Sequence, residues 1–151
     1  MSTNAQSSAR AAETGIPDEQ TLRQLFAEGA SGIAALRQRV RELDHRQWIE
    51  FQAGRPVERL MQERLDKIDR LLRVSWSHFV DDQAHRLCLV ATGGYGRGEL
   101  QPHSDIDLLI LLPADAGDQW AGAIGLFVTV LWDIGLQVGH SVRDVAECAA
   151  L

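Results

Sequence analysis

The sequence is poor in the features that mark special environments. It has two cysteines, Cys88 and Cys148, whose spacing fits neither a metal cluster nor a disulfide framework. Both read as packing thiols of a reducing compartment. No apolar run approaches the ~20 residues of a membrane-spanning helix. The start, Met1 to Gly15, is small and polar and lacks the apolar stretch of a secretory signal. A basic surplus is missing too: 15 Lys and Arg stand against 21 Asp and Glu, a formal charge of −6. That balance speaks against a nonspecific nucleic-acid coat. These absences point to a cytoplasmic protein with neither membrane nor nucleic acid as partner. A small nucleotide stays compatible, because local donors and a metal ion can outweigh a mild global charge.

What is there suits one globular domain. The chain has 151 residues, 45% apolar and 24% charged, enough for one real core. Residues 1–15 show no periodicity and are expected to be a disordered tail. From Asp18 to about Ala53 the pattern is helical, with a break around Gly29–Gly32. Leu22, Leu25 and Phe26 mark the inner face of a first short helix; Ile33, Leu36, Val40, Leu43 and Trp48 mark a second. Gly54-Arg55-Pro56 stops one helix and starts the next. Pro56 to Val80 carries apolar residues at three- and four-residue steps, from Val57 and Leu60 to Trp76 and Phe79. Such a stripe can serve a partner, but it reads first as a helix packed on the core.

After Asp81–Asp82 the character changes. Leu87–Thr92 and Asp105–Leu112 read as strands, Asp118–Trp132 as an apolar helix, Leu136–Val142 as a third strand, and Arg143–Leu151 as the start of another helix. The expected layout is a helical region over 16–82 followed by an α+β core over 83–151.

The chemistry sits in Val90–Leu112, VATGGYGRGELQPHSDIDLLILL. Asp105 and Asp107 stand at alternate positions of a strand, so both face one side, about 6.6 Å apart along the backbone. That spacing lets two carboxylates converge on one or two metal ions. Without a cation the two charges repel by roughly 2–3 kcal/mol at an effective dielectric of about 20. Ile106, Leu108 and Ile110 would anchor the opposite face in the core. Gly93 and Gly94, at the preceding strand end, let the backbone turn sharply and approach a ligand closely. A helical turn starting near Tyr95 would aim N–H groups at phosphate oxygens. Arg97 could add a charged donor and Ser104 a hydroxyl beside the metal. Nucleotidyl transfer consists mainly of positioning and charge neutralisation, and these parts suffice in kind.

Other glycine-rich readings fit worse. No Gly-Lys-Ser/Thr ends a P-loop, and Gly94-Tyr95-Gly96-Arg97-Gly98 misses the dinucleotide fingerprint by one residue. The aspartate pair lacks the glycine and distal glutamate of an EF-hand loop.

A Gly-Gly pair, a short spacer and Asp-x-Asp among apolar strand residues resemble the signature of the polymerase β-like nucleotidyltransferase superfamily. Gly93, Gly94, Asp105 and Asp107 match it position by position. GGYGRGELQPHSDIDLLIL, with LWDIGLQVGHSVRDVAEC downstream, resembles more narrowly the bacterial PII uridylyltransferase/uridylyl-removing enzymes, over about Leu87 to Cys148. The resemblance implies a small mixed sheet flanked by helices. It also implies Mg²⁺-dependent transfer of UMP from UTP to a tyrosine of the PII nitrogen-signalling protein, with release of pyrophosphate. On it Asp105 and Asp107 hold the metal, Gly93 and Gly94 contact the triphosphate, and Gly139, His140, Ser141 and Arg143 line or support the cleft.

Two departures accompany it. Superfamily members usually carry a third carboxylate on a later strand, where Leu136–Val142 has none; Asp133 precedes that strand and Asp144 follows it. The family's enzymes are also several-fold longer, adding a phosphohydrolase domain that removes UMP and domains that sense glutamine. This polypeptide is therefore expected to lack both activities and to stop before the transferase domain is complete. Three readings remain: a uridylyltransferase domain, an adenylyltransferase of the same superfamily, and a catalytically silent binding module.

Overall fold

The computed structural model describes residues 15–80 and 85–151. Most of the expected tail, and Asp81–Asp82 at the expected change of character, lie outside them. Gly15, the last residue of that tail, is buried, and Ile16 joins the core.

Among the described residues three helices come first: α1 (Glu19–Ala27), α2 (Ala30–Gln52) and α3 (Val57–Phe79). Asp18 starts α1 by accepting a hydrogen bond from the Thr21 N–H at 2.8 Å. This bond holds the Asp18 carboxyl below its ordinary pKa. The break between α1 and α2 falls at Gly29, whose φ of 70° suits glycine. Leu22, Phe26, Leu36, Val40 and Leu43 are buried as their spacing requires. Trp48 is not: it is 56% exposed, and Gln47 takes the inward position instead, donating to the Leu60 carbonyl at 2.8 Å. Beside it Arg64, almost fully buried, donates to Asp44 at 2.6 Å and to Gln47 at 3.2 Å, joining α3 to α2.

The second half is β1 (Cys88–Thr92), α4 (Gly93–Gly96), β2 (Ile106–Leu112), α5 (Ala121–Asp133), β3 (Val138–Asp144) and α6 (Val145–Ala149). β2 is the central strand, antiparallel to β1 and parallel to β3. The fold is thus α+β, a small mixed sheet flanked by helices, as expected. Ile106, Leu108 and Ile110 of β2 are buried. Trp76 of α3 meets Phe127 of α5 edge-on at 5.1 Å, and one hydrophobic cluster runs from Ile16 through α3 and α5 to Val138. The helical region and the sheet therefore share a single core.

Several boundaries differ from the periodic pattern. α5 begins at Ala121 rather than Asp118, after a turn closed by the Ala121 N–H on the Asp118 carbonyl. β3 runs on to Asp144, because Arg143 and Asp144 pair with Leu111 and Leu112 of β2. Asp144 then caps α6, accepting from the Glu147 N–H while the Glu147 carboxylate accepts from the Asp144 N–H, both at 2.8 Å. The two cysteines are free, but Cys88 is exposed rather than packed, since it lies on the edge strand β1. No helix among the described residues is long and apolar enough to cross a membrane.

Candidate active site

β1 ends at Thr92, which pairs with Asp107. There the chain turns through Gly93, with φ +58°, into the single turn of α4, two residues earlier than expected. The turn is held by the Arg97 N–H on the Gly93 and Gly94 carbonyls at 3.2 and 3.1 Å. It is anchored below by Tyr95, which is buried and whose hydroxyl donates to Asp69 of α3. Burial raises the Tyr95 phenol well above its ordinary pKa, and the bond to Asp69 adds to the effect. The Thr92 hydroxyl donates to the Asp107 backbone carbonyl at 3.2 Å, tying the end of β1 to the aspartate.

Asp107 sits between two glycines on the neighbouring strand ends. A Cβ on Gly93 would lie 2.5 Å from Asp107 Oδ2, and one on Gly139 would lie 3.0 Å from Asp107 Oδ1. The first is closer than a methyl group tolerates unless the carboxylate shifts, and the second is a tight contact to which the carboxylate would have to yield, so the two glycines make room for it. Its partner, Asp105, is not in the strand. The ladder starts at Ile106, because β1 ends opposite Asp107 and β3 begins opposite Ile106, leaving Asp105 without a cross-strand neighbour. Even so, Asp105 and Asp107 line one open cleft of about 410 Å³, with Trp132, Leu136, Gln137, Val138 and Gly139 as the other walls. Gln137, with its amide nitrogen turned inward, donates to Asp105 Oδ1 at 3.2 Å and to the His103 carbonyl at 3.1 Å.

The remaining candidate residues are spread around this centre. Arg97 is exposed, pairs with Glu99 at 3.1 Å, and keeps its guanidinium beside Gly94. Ser104, half-buried, precedes Asp105 in a turn closed by its N–H on the Gln101 carbonyl. His140 pairs with buried Leu108, on the sheet face opposite Asp107, and its ring stands edge-on to Trp132 at 6.1 Å. Arg143 shares the face of Gly139 but lies four residues further on, about 13 Å at ~3.3 Å per residue. Asp133 ends α5 and Asp144 is occupied as a cap. Among the described residues no group of three or more His, Cys, Asp or Glu side chains could hold a metal ion. Asp105 and Asp107 are thus two oxygen donors facing one cleft, a set whose chemistry suits a hard divalent cation that keeps several waters.

Trp132 and Gln137 line the cleft, but no sequence motif gives either a role. The tryptophan closes an apolar helical stripe, where it reads as a core residue. Gln137 shares one face of the third expected strand with Gly139 and Ser141, and its neutral amide carries no sign of a site.

Residues 77–135 match the family model for the nucleotidyltransferase domain. The chain is 50% identical over 124 residues to a protein of Stutzerimonas stutzeri (strain A1501) named bifunctional uridylyltransferase/uridylyl-removing enzyme. A protein of the same name from Pseudomonas putida (strain W619) is also 50% identical over 124 residues, and one from Pseudomonas entomophila (strain L48) is 48% identical over 120. Each alignment covers 80% of this chain and 13% of the relative, so the chain spans about an eighth of the length of these proteins. No solved structure matches it.

Proposed function

The chain carries a nucleotidyltransferase domain homologous to part of those uridylyltransferases, and on that premise we propose that it transfers UMP from UTP to a tyrosine of PII. The observation that carries the reading is the placement of Asp105 and Asp107 on one cleft, with Asp107 against the glycine turn that follows β1. Gly93 and Gly94 hold the triphosphate and Arg97 supplies positive charge beside them. Asp105 and Asp107 hold Mg²⁺, which neutralises charge on the phosphates when bound. Ser104 steadies the Asp105 end of the site. His140 and Arg143 act from further off, by supporting β3.

In the transfer, the phenolic oxygen of the acceptor bonds to the α-phosphorus of UTP. The bond from that phosphorus to the oxygen bridging to the β-phosphate breaks. Pyrophosphate leaves, and the phenolic proton passes to water in the open cleft. The cytoplasm is the compartment in which the nucleotide, the acceptor and free thiols coexist. The helical region 16–82 serves as a scaffold, holding the glycine turn through Asp69 and Tyr95; the catalytic part is 83–151.

A second reading, a nucleotide- or PII-binding module without turnover, is favoured by one observation: no third acid joins Asp105 and Asp107 among the described residues. Calorimetric titration of UTP and ATP with Mg²⁺ separates the possibilities, using the wild type, Asp105→Asn and Asp107→Asn. UTP binding that requires both the metal and the aspartates supports uridylyl transfer, and preference for ATP points to an adenylyltransferase. Absence of nucleotide binding by the folded chain removes the transferase reading. Incubation with PII and labelled UTP then distinguishes turnover from binding alone.

A further inference from the structure

The two sides of the carboxylate cleft are not equivalent. In the sheet order β1-β2-β3, Gly93 and Gly94 lie on the β1 side of Asp107, whereas Gln137, Gly139 and Trp132 lie on the β3 side. Displacement at phosphorus brings the attacking and leaving oxygens roughly into line. If the glycine turn holds the β- and γ-phosphates, pyrophosphate departs toward β1, and the acceptor oxygen must enter from the β3 side.

Trp132 stands on that side in an unusual state for a tryptophan closing an apolar helix. It is 51% exposed, yet its ring is fixed. Its Nε1–H donates to the Val138 carbonyl at 2.9 Å, and His140 meets the ring edge-on at 6.1 Å. The end of α5 that carries it is pinned by the Arg37 guanidinium, whose Nε donates to the Asp133 carbonyl at 2.5 Å. An exposed indole held at one orientation is a low-entropy surface for another aromatic ring.

Resting on the transfer proposed above, we infer that Trp132 is the acceptor-positioning residue. Its exposed indole receives the ring of the acceptor tyrosine and brings the phenolic oxygen over the carboxylates from the β3 side. Trp132 thereby selects an aromatic hydroxyl over an aliphatic one, and it does not hold the nucleotide.

The test compares the wild-type chain with Trp132→Leu and Trp132→Phe, all shown folded by circular dichroism. Calorimetry measures the affinity of each for the non-transferable α,β-imido analogue of UTP with Mg²⁺, and then for PII in the presence of that analogue. Trp132→Leu is expected to weaken PII binding about three- to tenfold, in line with the loss of one aromatic pair, and Trp132→Phe to recover part of it. Affinity for the analogue is expected to stay within about twofold of the wild type. Loss of analogue affinity with PII binding intact overturns the inference and makes Trp132 a base platform. Equal losses for both ligands, no change in either, or a wild type that binds the analogue but not PII also overturn it. A wild type that binds no uridine nucleotide fails at the earlier step, and removes the transferase reading as well.

Discussion

Gly93 and Asp107 are built around each other: a methyl group on the glycine would stand 2.5 Å from the carboxylate oxygen Oδ2. The glycine is needed twice over, since its φ of +58° is also a conformation that other residues adopt at a cost of roughly 1–2 kcal/mol. The turn proposed to approach the phosphates and the carboxylate proposed to hold the cation thus share one packing constraint.

Gly93→Ala is therefore expected to push Asp107 aside and lower Mg²⁺–UTP affinity by at least about tenfold, a loss of ~1.4 kcal/mol. Gly139→Ala, with its Cβ 3.0 Å from Oδ1, is expected to have the same effect in milder form. Titration calorimetry on both variants gives the order; a Gly139→Ala more damaging than Gly93→Ala contradicts it.

Gln137→Glu would replace the amide that donates to Asp105 Oδ1 with a third negative charge in the cleft. The metal-free protein is expected to lose about 1 kcal/mol of stability at pH 7, the repulsion of two charges about 4 Å apart in water. Added Mg²⁺ is expected to raise its melting temperature more than that of the wild type. Thermal unfolding with and without Mg²⁺ checks this, and an equal metal response in the two proteins counts against a cation at these carboxylates.

Tyr95→Phe removes the bond to Asp69 that anchors the glycine turn. A loss of about 1–2 kcal/mol at neutral pH is expected, as for a buried hydrogen bond with a charged partner. The folded-state pKa of Tyr95 is raised above its ordinary value, by burial first and by Asp69 second. Its stabilising effect is therefore complete below about pH 10, the unfolded value, and fades as pH rises toward the folded one. The wild type should lose stability more steeply than Tyr95→Phe above about pH 10, as denaturant titrations between pH 8 and 11 can show.

Asp44→Ala leaves the buried Arg64 guanidinium without its ion-pair partner, and a loss of roughly 3 kcal/mol is expected. Arg64→Met, which removes the charge itself and keeps the volume, should cost clearly less. Urea denaturation of the two variants settles the order, and equal losses would mean that the charge is compensated by other groups.

Much of this was legible locally. The spacing of Leu36, Val40 and Leu43, or of Leu60, Ile68 and Leu71, marks the buried face of each helix wherever that face is covered. The alternation of Ile106, Leu108 and Ile110 with Asp107 likewise announces a strand with one buried face. The errors have a common origin. Trp48 follows the helical stripe, but the inward position on α2 goes to its neighbour Gln47, which bonds to Leu60 of α3, and Trp48 stays largely exposed. Asp105 continues the strand pattern but has no strand on either side to pair with. Arg143 reads as the start of a helix because its pairing to Leu111 is invisible in its own segment.

The sequence by itself determined the parts: the helical stripes, the glycine pair, and two aspartates two residues apart beside an apolar strand. These follow from backbone periods of 3.6 and 2, which each segment carries within itself. Only the tertiary structure decided how the parts meet. Placing β3 parallel to β2 in the register Asp107↔Gly139 makes room for the carboxylate between two glycines. The same register turns His140 to the opposite face, and the packing of α5 leaves Trp132 on the β3 side of the cleft. Register joins residues some thirty positions apart, and one step of slip would exchange the two faces of β3. No local period carries that information; it is set by which pairing buries the apolar faces together.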